Sequence, residues 1–221
     1  VGATIDYQIS EINLFGETVR LVDLPGIYSL NYSDPAEKIT TDFLLNEEYD
    51  LIINVVNSPL LSRSLELTVE LLELGKPMVV ALNMHDEAEQ HGIQINDALL
   101  AEKLGVPVQF TNARQGKGVK KLSEIILDEL KSEKEYLNYP EDLRYTFHLE
   151  EIINELEKKI SNFKVGFNGS NRFWAIKSIE NEDIIPDKLV EDTKKITEKH
   201  KVELYNMHRI NAYETIAYER H

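Results

Sequence analysis

Three short runs of this 221-residue chain combine residue types that can do chemistry, and each follows an apolar stretch. In Asp23-Leu24-Pro25-Gly26 a carboxylate stands three residues ahead of a glycine. Such a carboxylate can hold the water shell of Mg²⁺, and a glycine N–H can approach a phosphate with no Cβ in the way. In Asn83-Met84-His85-Asp86 the aspartate can accept two hydrogen bonds, from the ring N–H and the exocyclic amine of guanine. Adenine lacks that amine and presents an acceptor at the ring nitrogen, so it leaves the carboxylate unpaired. Asn83 would hold base and neighbouring loops together. In Thr111-Asn112-Ala113-Arg114, backbone N–H groups can donate to a guanine carbonyl oxygen, and the small Ala113 leaves room for the ring. Each run also has an ordinary reading, because Pro-Gly after a strand makes a turn and Asn or Asp commonly follow strands.

The elements that must position these runs are legible in the apolar pattern. Ile9 to Leu14 alternates, Phe15-Gly16-Glu17 turns, and Val19 to Asp23 returns, which predicts two strands joined by a tight turn. Leu51 to Val56 and Met78 to Leu82 are short continuous apolar runs suited to buried parallel strands, and Val106 to Phe110 is a weaker third. Helical spacing recurs between them, over Leu61 to Leu74, Ala98 to Leu104 and Val119 to Leu130, with Gly75 and Gly105 as stops for the first two. Asp23, Asn83 and Thr111 thus each follow a different strand, 60 and 28 residues apart. Ligands of open α/β sheets bind at that end of the strands. Together the three runs have the order and spacing of a GTPase domain.

Beyond about Pro140 the pattern becomes helical only. Leu149, Ile152, Ile153, Leu156, Ile160 and Phe163 form one stripe, a loop from Gly166 to Asn171 follows, and helical pieces lie near 173–179, 189–196 and 210–218. The expectation is a GTPase-like α/β domain over residues 1–140 and an all-helical subdomain over 141–221, with Tyr and Trp residues of the latter in its core. The formal charge of −15 argues against nucleic acid as a partner, since such binding rests on Lys and Arg. The absence of cysteine removes disulfides and thiolate chemistry.

Several segments resemble the FeoB-type ferrous iron transporters. Asp23 to Leu30 is similar to that family's D-x-x-G motif, and Asn83-Met84-His85-Asp86 to its base motif, with Met84 where most GTPases carry lysine. Thr111 to Gly118 resembles its third loop, and Arg172 to Lys177 resembles a segment of its helical subdomain. Val1-Gly2-Ala3-Thr4 resembles its first switch. The resemblance implies a GTP/GDP-binding region on the cytoplasmic face of the membrane, joined to a permease part that moves Fe²⁺. It implies roles for Asn83, Met84 and Asp86 at guanine, for Thr111, Asn112 and Ala113 at the base carbonyl, for Gly26 at the γ-phosphate, and for Thr4 and Asp23 at Mg²⁺. A homo-oligomer is left open.

Two departures matter. No G-x-x-x-x-G-K-[ST] phosphate-binding loop occurs in the chain, nor the central strand that would carry it. The expected reading is a fragment that binds nucleotide poorly alone. A non-catalytic module that lost the loop, or a soluble ribosome- or tRNA-associated GTPase, are the alternatives. Ile27 follows Gly26 where many GTPases carry a water-orienting glutamine, so slow hydrolysis is expected. His85 and His91, near Asp86 and Glu89, read as solvated loop residues and not as an iron site.

Overall fold

The computed structural model describes residues 7–132, 139–162, 166–180 and 182–220; Thr4 and Phe163 lie outside them. β1 (Gln8–Leu14) and β2 (Glu17–Asp23) form an antiparallel pair with Gln8 opposite Asp23. Phe15 and Gly16 make the two-residue turn with φ of 52° and 99°, the sense that suits the right-handed twist of hairpin strands. Asn13 Oδ1 accepts the Gly16 N–H at 2.9 Å.

β3 (Ile52–Asn57), β4 (Met78–Asn83) and β5 (Val108–Phe110) form a parallel sheet in that order. α2 (Leu61–Glu73) connects β3 to β4, and α3 (His85–Gln90) with α4 (Asp97–Leu104) connect β4 to β5. The register pairs Asn57 with Asn83 and Leu82 with Phe110, so the C-terminal ends of all three strands share one edge. β4 is the middle strand, and Met78 to Leu82 are buried throughout, as a strand covered on both faces requires. β2 is not hydrogen-bonded to β3. A cleft of about 490 Å³ separates them, lined by Val19, Leu21, Tyr49 and Ile53 together with Ile126 and Leu130 of α5 (Val119–Leu130). The expected mostly parallel α/β layer is present, with the antiparallel hairpin as a separate two-stranded sheet.

α1 (Pro35–Asn46) is a helix the apolar periodicity did not show. Its signal is local: Asp34 caps it by accepting the Glu37 N–H at 2.9 Å, and Pro35 occupies the first turn, where no N–H is needed.

The helical region consists of α6 (Phe147–Ile160), α7 (Asn171–Glu180), α8 (Asp187–His208) and α9 (Ala212–Arg220). Trp174 and Tyr145 are core residues as expected, whereas Tyr205, Tyr213 and Tyr218 are exposed. Every residue of α7 after Asn171 is buried, including Arg172, Lys177 and Glu180. Burial of charge requires partners. Arg172 donates to both Glu150 oxygens, at 2.9 and 2.5 Å. Lys177 Nζ donates to Glu70 of α2 at 3.2 Å and to Glu180 at 2.8 Å. Arg220 reaches Glu70, Glu73 and Glu180 at 3.3, 2.8 and 2.6 Å. The Tyr145 hydroxyl donates to Glu73. Apolar residues of α2, β4, α6 and α7 belong to one contiguous core, so the helices and the sheet share an interior.

The third loop also has a stereochemical requirement. At Gly118 φ is +75°, and a Cβ there would lie 2.1 Å from the Phe110 carbonyl oxygen. Only glycine closes this loop onto the end of β5.

Three outcomes are expected. Lys177→Met leaves Arg220 alone against three buried carboxylates and should cost about 3–5 kcal/mol in a denaturant titration. Burial alone would raise the Glu180 carboxyl, but Lys177 and Arg220 overcome that and bring it from 4.5 down to about 2. Its contribution is therefore complete above about pH 4.5 and lost as pH falls toward 2, so the unfolding midpoint should drop across that window and drop less in Glu180→Gln. Gly118→Ala should lower the thermal midpoint and perturb the amide resonances of Phe110 and Thr111 selectively.

Candidate nucleotide site

Parallel pairing of β4 and β5 brings two of the three runs together. The Thr111 N–H donates to the Leu82 carbonyl at 2.8 Å, which sets the β5 loop beside the end of β4. Asn83 then bridges the two loops: its Oδ1 accepts the Thr111 hydroxyl at 3.3 Å and the Ala113 N–H at 3.0 Å. Its carboxamide NH₂ group makes no protein hydrogen bond among the described residues, so a donor is left at the strand end. The Ala113 N–H is engaged, so a base carbonyl arriving there would share that donor with Asn83.

Met84 takes a left-handed conformation, φ 60°, uncommon for a residue with a side chain. This bend ends β4 and starts α3 at once, which places Asp86 in the first turn of α3. The Asp86 carboxylate meets Gln115 Nε2 at 3.4 Å across the loops. The Thr111 loop closes on itself through Asn112 and Lys117, whose N–H and carbonyl groups exchange bonds at 2.9 and 3.2 Å, and the Asn112 side chain accepts the Gln115 N–H. Asn83, Met84, Asp86, Thr111, Asn112 and Ala113 therefore form one constellation at the C-terminal edge of the sheet.

Asp23 and Gly26 stand apart from it, on the hairpin and the segment that follows. Asp23 is exposed at the end of β2, and its carboxylate makes no ion pair or hydrogen bond among the described residues. Gly26 is exposed, and an added Cβ would meet nothing within 4 Å. The fold itself makes no demand for glycine there. The segment from Leu24 to Asp34 is held by α1 and α2. Thr40 donates its hydroxyl to the Pro25 carbonyl at 2.9 Å. Glu37 accepts from the Ser29 hydroxyl and the Ser33 N–H at 3.0 and 3.2 Å. Glu70 accepts the Leu30 N–H at 2.7 Å. Ile27 packs against the core.

His85 corrects the sequence reading. It opens α3 and stacks on Phe110, with ring centroids 3.7 Å apart, so it is a packing residue of the site wall and not a solvated loop residue. His91 is exposed. Among the described residues no group of three or more His, Cys, Asp or Glu could hold a metal ion.

Sequence reasoning missed Asn57, Ser58 and Gln115. Asn57 Oδ1 and Ser58 Oγ at the end of β3 are buried with no hydrogen-bond partner among the described residues, and Asn57 lies beside Asn83 in register. The place of Asn57 as the last residue of an apolar strand, matching Asn83, was the available signal. Gln115 and the holding residues Glu37, Thr40 and Glu70 had none, because their partners are remote or lie across a turn.

Among the described residues no helix is long and apolar enough to cross a membrane. Residues 1–126 match the family described as Ferrous iron transport protein B. The Fe(2+) transporter FeoB of Staphylococcus aureus strain MSSA476 is 35% identical over 189 residues, 85% of this chain and 27% of that protein. The chain spans 20–27% of the length of the curated relatives it matches. The cytosolic domain of the T. maritima FeoB iron transporter, in apo form, superimposes with a TM-score of 0.80 at 28% identity, covering 99% of this chain and 82% of that one. A variant of S. thermophilus NFeoB bound to GDP.AlF4- gives 0.81 at 28% identity, covering 99% and 84%. The family match, over the residues that build both the hairpin and the Asn83–Ala113 constellation, shows that this chain belongs to the FeoB family, as a GTPase-type domain with its helical region.

Proposed function

We propose that this chain is the guanine-nucleotide-binding part of a ferrous iron transporter, acting at the cytoplasmic face of the membrane as a regulatory switch for Fe²⁺ uptake. The observation that carries this reading is the Asn83 bridge, which holds Asp86 and the Thr111–Ala113 loop around one space. In that space the Asp86 carboxylate accepts from the guanine ring N–H and amine, the Asn83 amide donates to the base, and the Thr111–Ala113 backbone faces the base carbonyl. Solved relatives carrying GDP.AlF4- or GMPPNP support the same ligand class.

A bound Mg²⁺ would supply positive charge to the nucleotide phosphates. The exposed, unpaired Asp23 carboxylate fits its water shell, with Thr4, outside the described residues, as the second candidate. The Gly26 N–H faces the γ-phosphate with no Cβ to obstruct it. GTP orders the segments around Thr4, outside the described residues, and at 26–32, and hydrolysis releases them. With the Ile27 side chain packed on the core, no group at that position orients water, so hydrolysis is slow. A strand carrying a phosphate-binding loop would fit the cleft between β2 and β3, where neither facing strand edge has a partner among the described residues. The division at residue 140 then separates the nucleotide-binding part from the helices that pass its state to the permease part.

The test is a titration of the chain with fluorescent GDP and Mg²⁺, competed by GDP, XDP and ATP. Weak binding displaced by GDP and not by ATP is expected. Asp86→Asn should reverse the base preference toward xanthine by about 10²-fold or more, since the amide then faces a carbonyl where guanine has its amine. Equal competition by ATP and GDP, or an unchanged preference in Asp86→Asn, would refute the assignment.

A further inference from the structure

The Arg172–Lys177 run, which the nucleotide chemistry leaves unused, sits in α7 and ends on a buried charge cluster that also reaches the segment after Gly26. Three carboxylates, Glu70, Glu73 and Glu180, meet two cations, Lys177 and Arg220, with side chains almost wholly out of water. Glu70 is the member that faces both ways. One of its oxygens accepts the Leu30 N–H at 2.7 Å and Lys177 Nζ at 3.2 Å, and the other accepts Arg220 Nη1 at 3.3 Å. Leu30 is itself buried, four residues beyond Gly26.

We infer that Glu70 is a positioning residue for the segment after Gly26, and that Lys177 of α7 and Arg220 of α9 aim it. The relevance of this grip to nucleotide rests on the function proposed above.

The physical case has two parts. A backbone N–H bonded to a buried carboxylate makes a charge-assisted bond, stronger than one to a neutral acceptor. A long carboxylate side chain would not keep that aim unaided, because its rotamer freedom opposes fixation. Here two cations from two other helices bind the same carboxylate and fix where its oxygens lie. Moving α7 or α9 relative to α2 therefore changes the acceptor offered to Leu30. In the other direction, withdrawing the Leu30 N–H leaves the Glu70 oxygen short of a donor, in a cluster already carrying one excess negative charge. The helical region and the Gly26 segment are thus coupled through the Glu70 side chain.

Amide hydrogen exchange on the 221-residue chain without nucleotide tests this independently of whether the guanine assignment holds. Glu70→Gln keeps an oxygen acceptor and removes the charge. Arg220→Lys keeps a charge and loses the fork that reaches three carboxylates. In both, the Leu30 amide should exchange about tenfold or more faster, while the Val80 amide, bonded to the Pro107 carbonyl inside the sheet, keeps its rate. If Arg220→Lys does not fold, Lys177→Arg gives the same readout. Unchanged protection at Leu30 overturns the inference. So does a response to Glu70→Gln alone, which would confine the grip to α2, or an equal rise at Leu30 and Val80, which would mean general loosening. Loss of guanine selectivity in the titration with the exchange result intact would remove the nucleotide reading and leave the coupling standing.

Discussion

Five ionisable side chains buried together, Glu70, Glu73, Lys177, Glu180 and Arg220, determine how the helical region sits on the α/β layer. Burying one such charge without a partner is prohibitive, and burying several is tolerable only when each is hydrogen-bonded in good geometry. α2 supplies two carboxylates, α7 a lysine and a carboxylate, and α9 the arginine. None of these helices can shift without stranding a charge belonging to another. Apolar contact gives this joint its area; the ions restrict it to one arrangement. The same argument applies on the opposite side of α7, where Arg172 and Glu150 meet and Arg172 lies 4.3 Å from the Tyr139 ring.

The candidate site obeys a different constraint. Parallel strands in register end on one edge, and β3, β4 and β5 place Asn57, Asn83 and Thr111 there whatever their side chains do. Two local devices convert that edge into a shaped space. The left-handed Met84 turns the chain into α3 within one residue, and Gly118 lets the Thr111 loop fold back onto Phe110. Asn83 then joins the two loops with one side-chain oxygen. The Gly26 segment is held by other residues, on α1 and α2, apart from the Asn83–Ala113 constellation.

Much of this fold is legible in the sequence because its strands and most of its helices carry their own signals. Met78 to Leu82 are apolar without interruption since β4 is covered on both faces, and Ile152, Ile153 and Leu156 repeat at helical spacing since α6 buries one side. α1 escaped that test because its buried face includes Glu37, Thr40 and Thr41, so apolar periodicity is weak although its cap is plain in Asp34-Pro35. His85 escaped for the opposite reason: a polar residue in an acidic stretch reads as solvated until Phe110 is brought beneath it.

By itself the sequence determined the order of the strands and of most helices, the three runs at strand ends, the absence of a phosphate-loop motif and the family resemblance. The first three follow from local periodicity and short-range spacing, and the resemblance rests on the motif residues themselves. Only the tertiary structure decided that Asn83 bonds Ala113, that β2 and β3 stand apart, and that Glu70 links Leu30 to Lys177 and Arg220. Partners separated by 107 and 150 positions have no signature in a single chain. Their charges look like any solvated Glu, Lys or Arg until the helices pack and remove the water between them.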